Sequence, residues 1–255
     1  MERFDELVQI MERLRAPGGC PWDREQTHQS IRKYVIEEAY EVAEAIDRDD
    51  PQELCSELGD LLLQVVFHAQ MAREAGRFDV DDVCRAVVEK MRRRHPHVFG
   101  DVAVSGAAEV VRNWEQIKAR ERGEAASAVD GVPRALPALQ RAERIGEKAA
   151  RVGFDWPDAA GVLAKVDEER AELAHAMTQD DRQRVADELG DLLLATANLA
   201  RKLDIEPERA LSSAIDRFER RFRSVETTAR AEGRDLAALP AEELDRRWQR
   251  AKRAG

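Results

Sequence analysis

The sequence predicts an all-α protein of two tandem helical-bundle domains, and three observations carry that prediction. The heptapeptide ELGDLLL at 57–63 returns at 188–194, an offset of 131 residues that also carries Glu37, Glu38 and Glu41 onto Glu168, Glu169 and Glu172. Apolar residues recur at three- and four-residue steps along most of the chain, and no convincing strand alternation is found. Hydrophobic content of 43% with 36% charged and 5% aromatic residues describes a helix-rich globular chain. At 255 residues the chain suits two domains of roughly 120.

Taken in order, a first helix is expected over 3–15. Ile36, Ala39, Val42, Ala43 and Ile46 then mark one helical stripe, and Leu58, Leu61, Leu62, Val65 and Val66 mark another. Between them DRDDP (47–51) reads as a turn that supplies an N-cap aspartate and a proline at the first helical position. Helices at 80–94 and 107–122 complete a domain over 1–122, and a Gly- and Pro-containing linker covers 123–137. The second domain, 138–255, repeats the plan with helices at 138–151, Val166 to Met177, Val185 to Leu203, 207–231 and 241–253, and with a turn at TQDD (178–181). HPH (95–97), beside a helix-ending proline, reads as a turn rather than a metal site.

The acids set the chemistry. Residues three or four apart share a helix face, so Glu38 projects with Glu41, and Glu57 with Asp60. An antiparallel hairpin centred on Asp49 sets Glu38 beside Asp60 and Glu41 beside Glu57; one centred on Asp180 does the same for Glu169 with Asp191 and Glu172 with Glu188. Outside these acids, residues 39–56 and 170–187 match at five of 17 aligned positions, yet every one of the acids returns. That retention argues against a merely solvated acidic face. Clustered carboxylates disfavour joint ionisation unless a cation joins them, and an oxygen-only ligand set suits Mg²⁺ or Mn²⁺, which keep waters and complete their shell with substrate phosphates. Gly59 and Gly190 sit mid-helix at a cost of ~1 kcal/mol relative to Ala, which close approach of a backbone or ligand would justify.

Composition also excludes classes. A net charge of −10 disfavours nucleic acid, and the longest apolar run, around Leu61 to Phe67, is far below the ~20 residues of a membrane span. Cys20, Cys55 and Cys84 form no disulfide framework, and no signal peptide is visible, so a cytoplasmic protein is expected. No P-loop and no nucleophilic triad is present.

EEAYE (37–41), DEERAE (167–172) and the two ELGD segments, with CPWD (20–23), RRHPHVFGD (93–101), WEQIK (114–118), GFDW (153–156) and FERRF (218–222), resemble the MazG nucleoside triphosphate pyrophosphohydrolases over essentially the whole chain. The resemblance implies an all-helical, Mg²⁺-dependent homodimer that cleaves nucleoside triphosphates, ATP among them, between the α and β phosphates. It implies metal binding by Glu169, Glu172, Glu188 and Asp191, with Glu38, Glu41, Glu57 and Asp60 as first-half counterparts. Glu168 and Glu37 become companion acids for a further metal or for orienting the attacking water. Lys165, Val166, Asp167, Glu168 and Glu169, with Arg184, Val185, Ala186, Asp187 and Asp191, would border the nucleotide. The stretch Arg217, Phe218, Glu219, Arg220 and Arg221 would meet its phosphates, and Trp248, Lys252 and Lys118 the base or phosphate end.

The residues themselves agree on the cations. Arg217 and Arg221 are one turn apart and can reach one anion, and Arg forks match phosphate oxygens. W-x-x-x-K occurs twice, at Trp114/Lys118 and Trp248/Lys252, pairing an indole that can stack a base with a cation one turn on. At the 131 offset Lys90 matches Arg221 but Ala86 matches Arg217, so the second half is expected to grip phosphate better and to be the active one. A di-iron carboxylate bundle is a rival reading and needs two E-x-x-H motifs; only Glu172–His175 supplies one. A non-catalytic acidic scaffold is another, and it leaves the matched acids unmotivated.

Overall fold

A computed structural model describes residues 2–122, 127–179 and 181–254, apart from the side chains of Ala108, Glu115, Ala119, Arg122 and Ala254. Among the described residues there are helices and connecting turns but no strand. The linker positions 123–126 and the hairpin midpoint Asp180 lie outside them. The chain divides into two compact units, Met1–Glu121 and Arg122–Gly255.

Unit 1 contains α1 (Glu2–Arg15), α2 (Pro21–Glu25), α3 (Arg32–Arg48), α4 (Pro51–Glu74), α5 (Val80–Arg94), α6 (Pro96–Phe99) and most of α7 (Ala107–Arg122). Its core is the apolar stripe of α4, with Val66, Phe67 and Met71 packed on Met11 of α1 and on Ile31. The α3–α4 turn follows the sequence closely. Asp49 ends α3 in the left-handed region (φ 55°). Asp50 caps α4 by accepting from the backbone N–H groups of Gln52 and Glu53 at 2.9 and 3.0 Å, and Pro51 takes the first helical position, where no N–H is missed. At the other end of α4, Arg15 pairs with Glu74 at 2.7 Å and donates to the carbonyls of Asp23 and Gln26, which ties α1, the CPWD segment and α4 together.

Unit 2 contains α8 (Ala138–Arg151), α9 (Ala159–Ala176), α10 (Arg182–Lys202), α11 (Pro207–Ala231), a 3-10 turn (Leu236–Ala238) and α12 (Ala241–Ala254). Asp181 repeats the cap of the first hairpin, accepting from the N–H groups of Gln183 and Arg184 at 3.1 Å each. The acid helix α9 starts seven residues before the expected Val166, because Asp158 caps it by accepting from the Gly161 N–H at 2.8 Å. α8 lies so close to α10 that a Cβ on Gly146 would collide with Asn198 Oδ1. In GFDW, Asp155 binds Arg201 at 2.6 Å and Lys202 at 2.7 Å, and these cations hold its carboxyl down to about 2. Arg247, only 4% exposed, pairs with Glu232 and Glu243 and fixes α12 to the end of α11. No helix among the described residues is long and apolar enough to cross a membrane.

Candidate functional site

Each hairpin gathers three carboxylates. On α3 and α4, one oxygen each of Glu38, Glu41 and Glu57 lies within 4.8 Å of the others, and on α9 and α10 the same holds for Glu169, Glu172 and Glu188. The fourth acid of each set stands outside its trio. Asp60 remains near enough for its charge to act on Glu38 and Glu57, whereas Asp191 is exposed on α10. Glu37 and Glu168 are likewise exposed on the rims.

The electrostatics of the two trios differ. Partial desolvation and then the charges of Asp60, Glu41, Glu57 and Glu37 push Glu38 above its ordinary value. Desolvation and then Glu41, Asp60 and Glu53 push Glu57 up as well. In unit 2 Glu172 is raised by desolvation and by Glu188, Glu169 and Glu168, with Lys165 acting against them. Lys165 Nζ lies 2.8 Å from Glu168 and 2.7 Å from the buried Glu169, and these two acids hold its ammonium well above the usual range. Arg184 approaches Glu188 at 3.5 Å.

Other expected contributors fall into separate groups. Val166 and Val185 are half-buried, and Asp167, Ala186 and Asp187 are exposed. On α11 and α12, Phe218 packs against Trp248 with ring centroids 5.1 Å apart, and Lys252 Nζ is 5.9 Å from the Trp248 ring. Arg221 Nε is buried there without a hydrogen-bond partner, beside exposed Arg217 and Arg220, while Glu219 binds Arg223 at 2.8 Å. No hydrogen bond or ion pair joins Arg217, Arg221, Trp248 or Lys252 to the carboxylate trio among the described residues. In unit 1, Lys118 Nζ lies 4.4 Å from the centroid of the Trp114 ring, whose Nε1 is buried without a partner.

Three carboxylate oxygens within reach of one ion, with Glu38 and Glu57 in one trio and Glu172 in the other raised by burial and neighbouring acids, are a good fit to a divalent cation, and the all-oxygen donor set suits a hard one. His175 stands apart from this set and contacts Gln179 at 2.7 Å, so no imidazole completes a di-iron ligand pattern. His95 contacts the Met91 carbonyl at 2.7 Å, as a helix-end turn does. Around Gly59 and Gly190, nothing lies within 4 Å of where a Cβ would sit, so no neighbouring part of the same unit explains either glycine. Direct ion pairing of Lys165 with the acids has a signal in the sequence, the K-x-x-E-E spacing that puts the ammonium one turn from both.

Residues 26–99 and 159–225 match the MazG nucleotide pyrophosphohydrolase domain. The chain is 49% identical over 258 residues to the nucleoside triphosphate pyrophosphohydrolase of Escherichia coli (strain K12), covering 99% of this chain and 98% of that one. It is 48% identical over 250 residues to the nucleoside triphosphate pyrophosphohydrolase/pyrophosphatase MazG of Thermotoga maritima, covering 98% and 95%. A 35% identity over 214 residues, covering 81% of this chain and 65% of the relative, links it to the nucleoside triphosphate pyrophosphohydrolase of Mycobacterium tuberculosis. A duplicated acidic hairpin, matched in both copies by one domain family, makes this chain a member of the MazG nucleotide pyrophosphohydrolase family.

Proposed function

We propose that this protein hydrolyses nucleoside triphosphates to the monophosphate and pyrophosphate with Mg²⁺, or Mn²⁺ in its place, and that the working site is in unit 2. The observation that carries this reading is the α9–α10 hairpin, where a carboxylate trio and the cations Lys165 and Arg184 occur together. Glu169, Glu172 and Glu188 would hold the ion, with Asp191 as the fourth acid of the set. A bound divalent ion neutralises charge on the triphosphate and orients water for in-line attack at phosphorus.

The side chains do the rest. Lys165, now paired with Glu168 and Glu169, is placed to exchange part of that pairing for a phosphate oxygen. Glu168, freed by that exchange, is the acid to take the proton of the attacking water as the bond to pyrophosphate breaks. Arg217 and Arg221 supply forks for the phosphates, and the unpartnered Nε of Arg221 is a donor in need of an acceptor. Trp248, braced by Phe218, offers an indole face to the base. Glu37, Glu38, Glu41, Glu57 and Asp60 form the first-half counterpart, and Lys118 beside Trp114 that of Lys252.

We further infer a homodimer. Leu58, Leu62 and Val65 around Gly59, and Leu189, Leu193 and Leu194 around Gly190, are large exposed apolar residues flanking an open glycine. A second hairpin laid across such a face would bury them and use the space at the glycine. The free cysteines fit a reducing, cytoplasmic setting. Pyrophosphate release from a panel of nucleoside triphosphates, with Mg²⁺ and with a chelator, tests the function. No metal-dependent release from any of them would leave the scaffold reading standing.

A further inference from the structure

Away from the acids, unit 1 carries a histidine pair to which the hydrolysis gives no role. His28 lies in the segment leading into α3, and His68 lies on α4. Their Nδ1 atoms are 2.7 Å apart. The ring planes differ by 7° and the centroids are 5.0 Å apart. In nearly parallel rings, a centroid separation of about the N···N distance plus one radius of each ring means that they meet edge to edge in a shared plane. That is the geometry of a single N–H···N hydrogen bond. Arg77 Nη2 lies 2.9 Å from the other nitrogen of His28, Nε2.

These contacts assign the protons. A guanidinium only donates, so Nε2 of His28 must present its lone pair. The one proton of His28 then sits on Nδ1 and is donated to Nδ1 of His68, whose own proton is left on Nε2. One neutral arrangement satisfies all three groups. An extra proton on either ring sets two N–H donors against each other or an N–H against the guanidinium.

We propose that Arg77, His28 and His68 form a proton-sensitive clasp that fastens the start of α3 to α4 and opens on acidification. The clasp closes the α3–α4 hairpin at the end opposite its Asp49–Asp50 turn, so its opening loosens the helices that carry Glu38, Glu41 and Glu57. Burial, and then the His28 ring, push the His68 imidazole below the ordinary 6.5. The neutral form is therefore favoured in the folded chain, and the clasp's contribution is complete above pH 6.5 and is lost as pH falls through the lower folded value. Several charged groups on the helices packed against α4 have partners of their own. Glu12 and Arg15 of α1 pair with Arg73 and Glu74, Asp79 and Asp82 close the cap of α5, Asp81 pairs with Arg85, and Lys33 of α3 lies over Tyr34. Arg32 of α3 is exposed, and among the described residues Arg77 is the charged group in hydrogen-bond contact with the pair.

Amide hydrogen exchange of residues 27–31 in the full chain, corrected for the intrinsic rate, tests this between about pH 7.5 and about pH 5. Wild-type protection is expected to fall severalfold on acidification, while a His28→Phe/His68→Phe double variant shows no such change. An equal response in both proteins overturns the clasp. Nitrogen NMR of the wild-type rings is independent of how the variant folds. His28 is expected as the Nδ1–H tautomer and His68 as the Nε2–H tautomer at the higher pH, and finding both as Nε2–H, or either charged, overturns it as well.

Discussion

The two acidic hairpins share their carboxylates and their caps but not their cations. Where unit 2 has Lys165 and Arg184 beside its trio, the 131 offset places Tyr34 and Glu53 in unit 1, and where unit 2 has Arg217 and Arg221 it places Ala86 and Lys90. The consequence is visible in the charges. Two acids of the first trio, Glu38 and Glu57, are pushed up, against one in the second, Glu172, where Lys165 offsets its neighbours. Glu53 adds to the repulsion on Glu57 and is itself engaged by Arg48 at the turn. In the proposed reading, duplication kept a cradle for a cation in both copies and a clamp for a polyanion in one. On that reading, holding a metal and holding a metal with its triphosphate are separable properties of this hairpin.

The largest test of that separation is a matched pair of variants. Glu172→Gln is expected to lower kcat/KM for pyrophosphate release by about 10²–10³-fold, the scale of removing one group that stabilises transition-state charge. Glu41→Gln, its counterpart, is expected to stay within about a factor of three of wild type. Equal losses would end the asymmetry. Next comes the clamp itself. Lys165→Ala removes a group that touches the acids without replacing one of them, and a loss of about 10–100-fold is expected. The reciprocal change, Tyr34→Lys with Glu53→Arg in unit 1, is expected to raise nucleotide affinity in a Glu172→Gln background, read by equilibrium dialysis with Mg²⁺ present.

Much of this arrangement was legible because it rests on period. The long helices follow from three- and four-residue apolar spacing, and the hairpin register follows from acids matched across a turn whose cap, Asp50 with Pro51, announces itself. α2 (Pro21–Glu25) and α6 (Pro96–Phe99) were missed because four or five residues are too few to display a period. The start of α9 was placed late because AAGVLAK offers small residues and little amphipathic contrast; Asp158 was the one signal. Asp60 and Asp191 sit beside their trios rather than in them; their three-residue spacing from Glu57 and Glu188 is the same spacing that joins Glu38 to Glu41 and Glu169 to Glu172, so it does not encode the difference. The grouping of Phe218 with Trp248 depends on how α11 meets α12, and no spacing within either helix encodes that.

A smaller effect bears on what the two copies still share. In an isolated helix, Gly59→Ala and Gly190→Ala should each stabilise by ~1 kcal/mol, and the empty space around both positions leaves no internal clash to oppose it. If a second copy lies across each hairpin, the added methyl meets it instead. Gly190→Ala is then expected to weaken dimerisation about tenfold, equivalent to ~1.4 kcal/mol, in sedimentation equilibrium. Stabilisation without any change in association would remove the dimer from the explanation of these glycines, in one half or in both.

The smallest expected effect is the link between metal and protons. Raised carboxylates favour the protonated form in the folded chain, so without a cation their contribution to stability is present below the ordinary 4.5 and is lost as pH rises through the higher folded values. A divalent ion needs them ionised, and the protection it confers should grow over the same rise in pH. Glu38 and Glu57 both take part in unit 1, whereas in unit 2 Lys165 already supplies part of the missing positive charge. Hydrogen exchange of α3 and α9, with and without Mg²⁺ at about pH 5 and about pH 7, should therefore show the stronger pH dependence of Mg²⁺ protection in α3. The first hairpin would then be the more proton-coupled metal cradle although it is the weaker clamp for phosphate, and an equal dependence in the two helices would mean that Lys165 leaves the acids beneath it electrostatically as they are in the other copy.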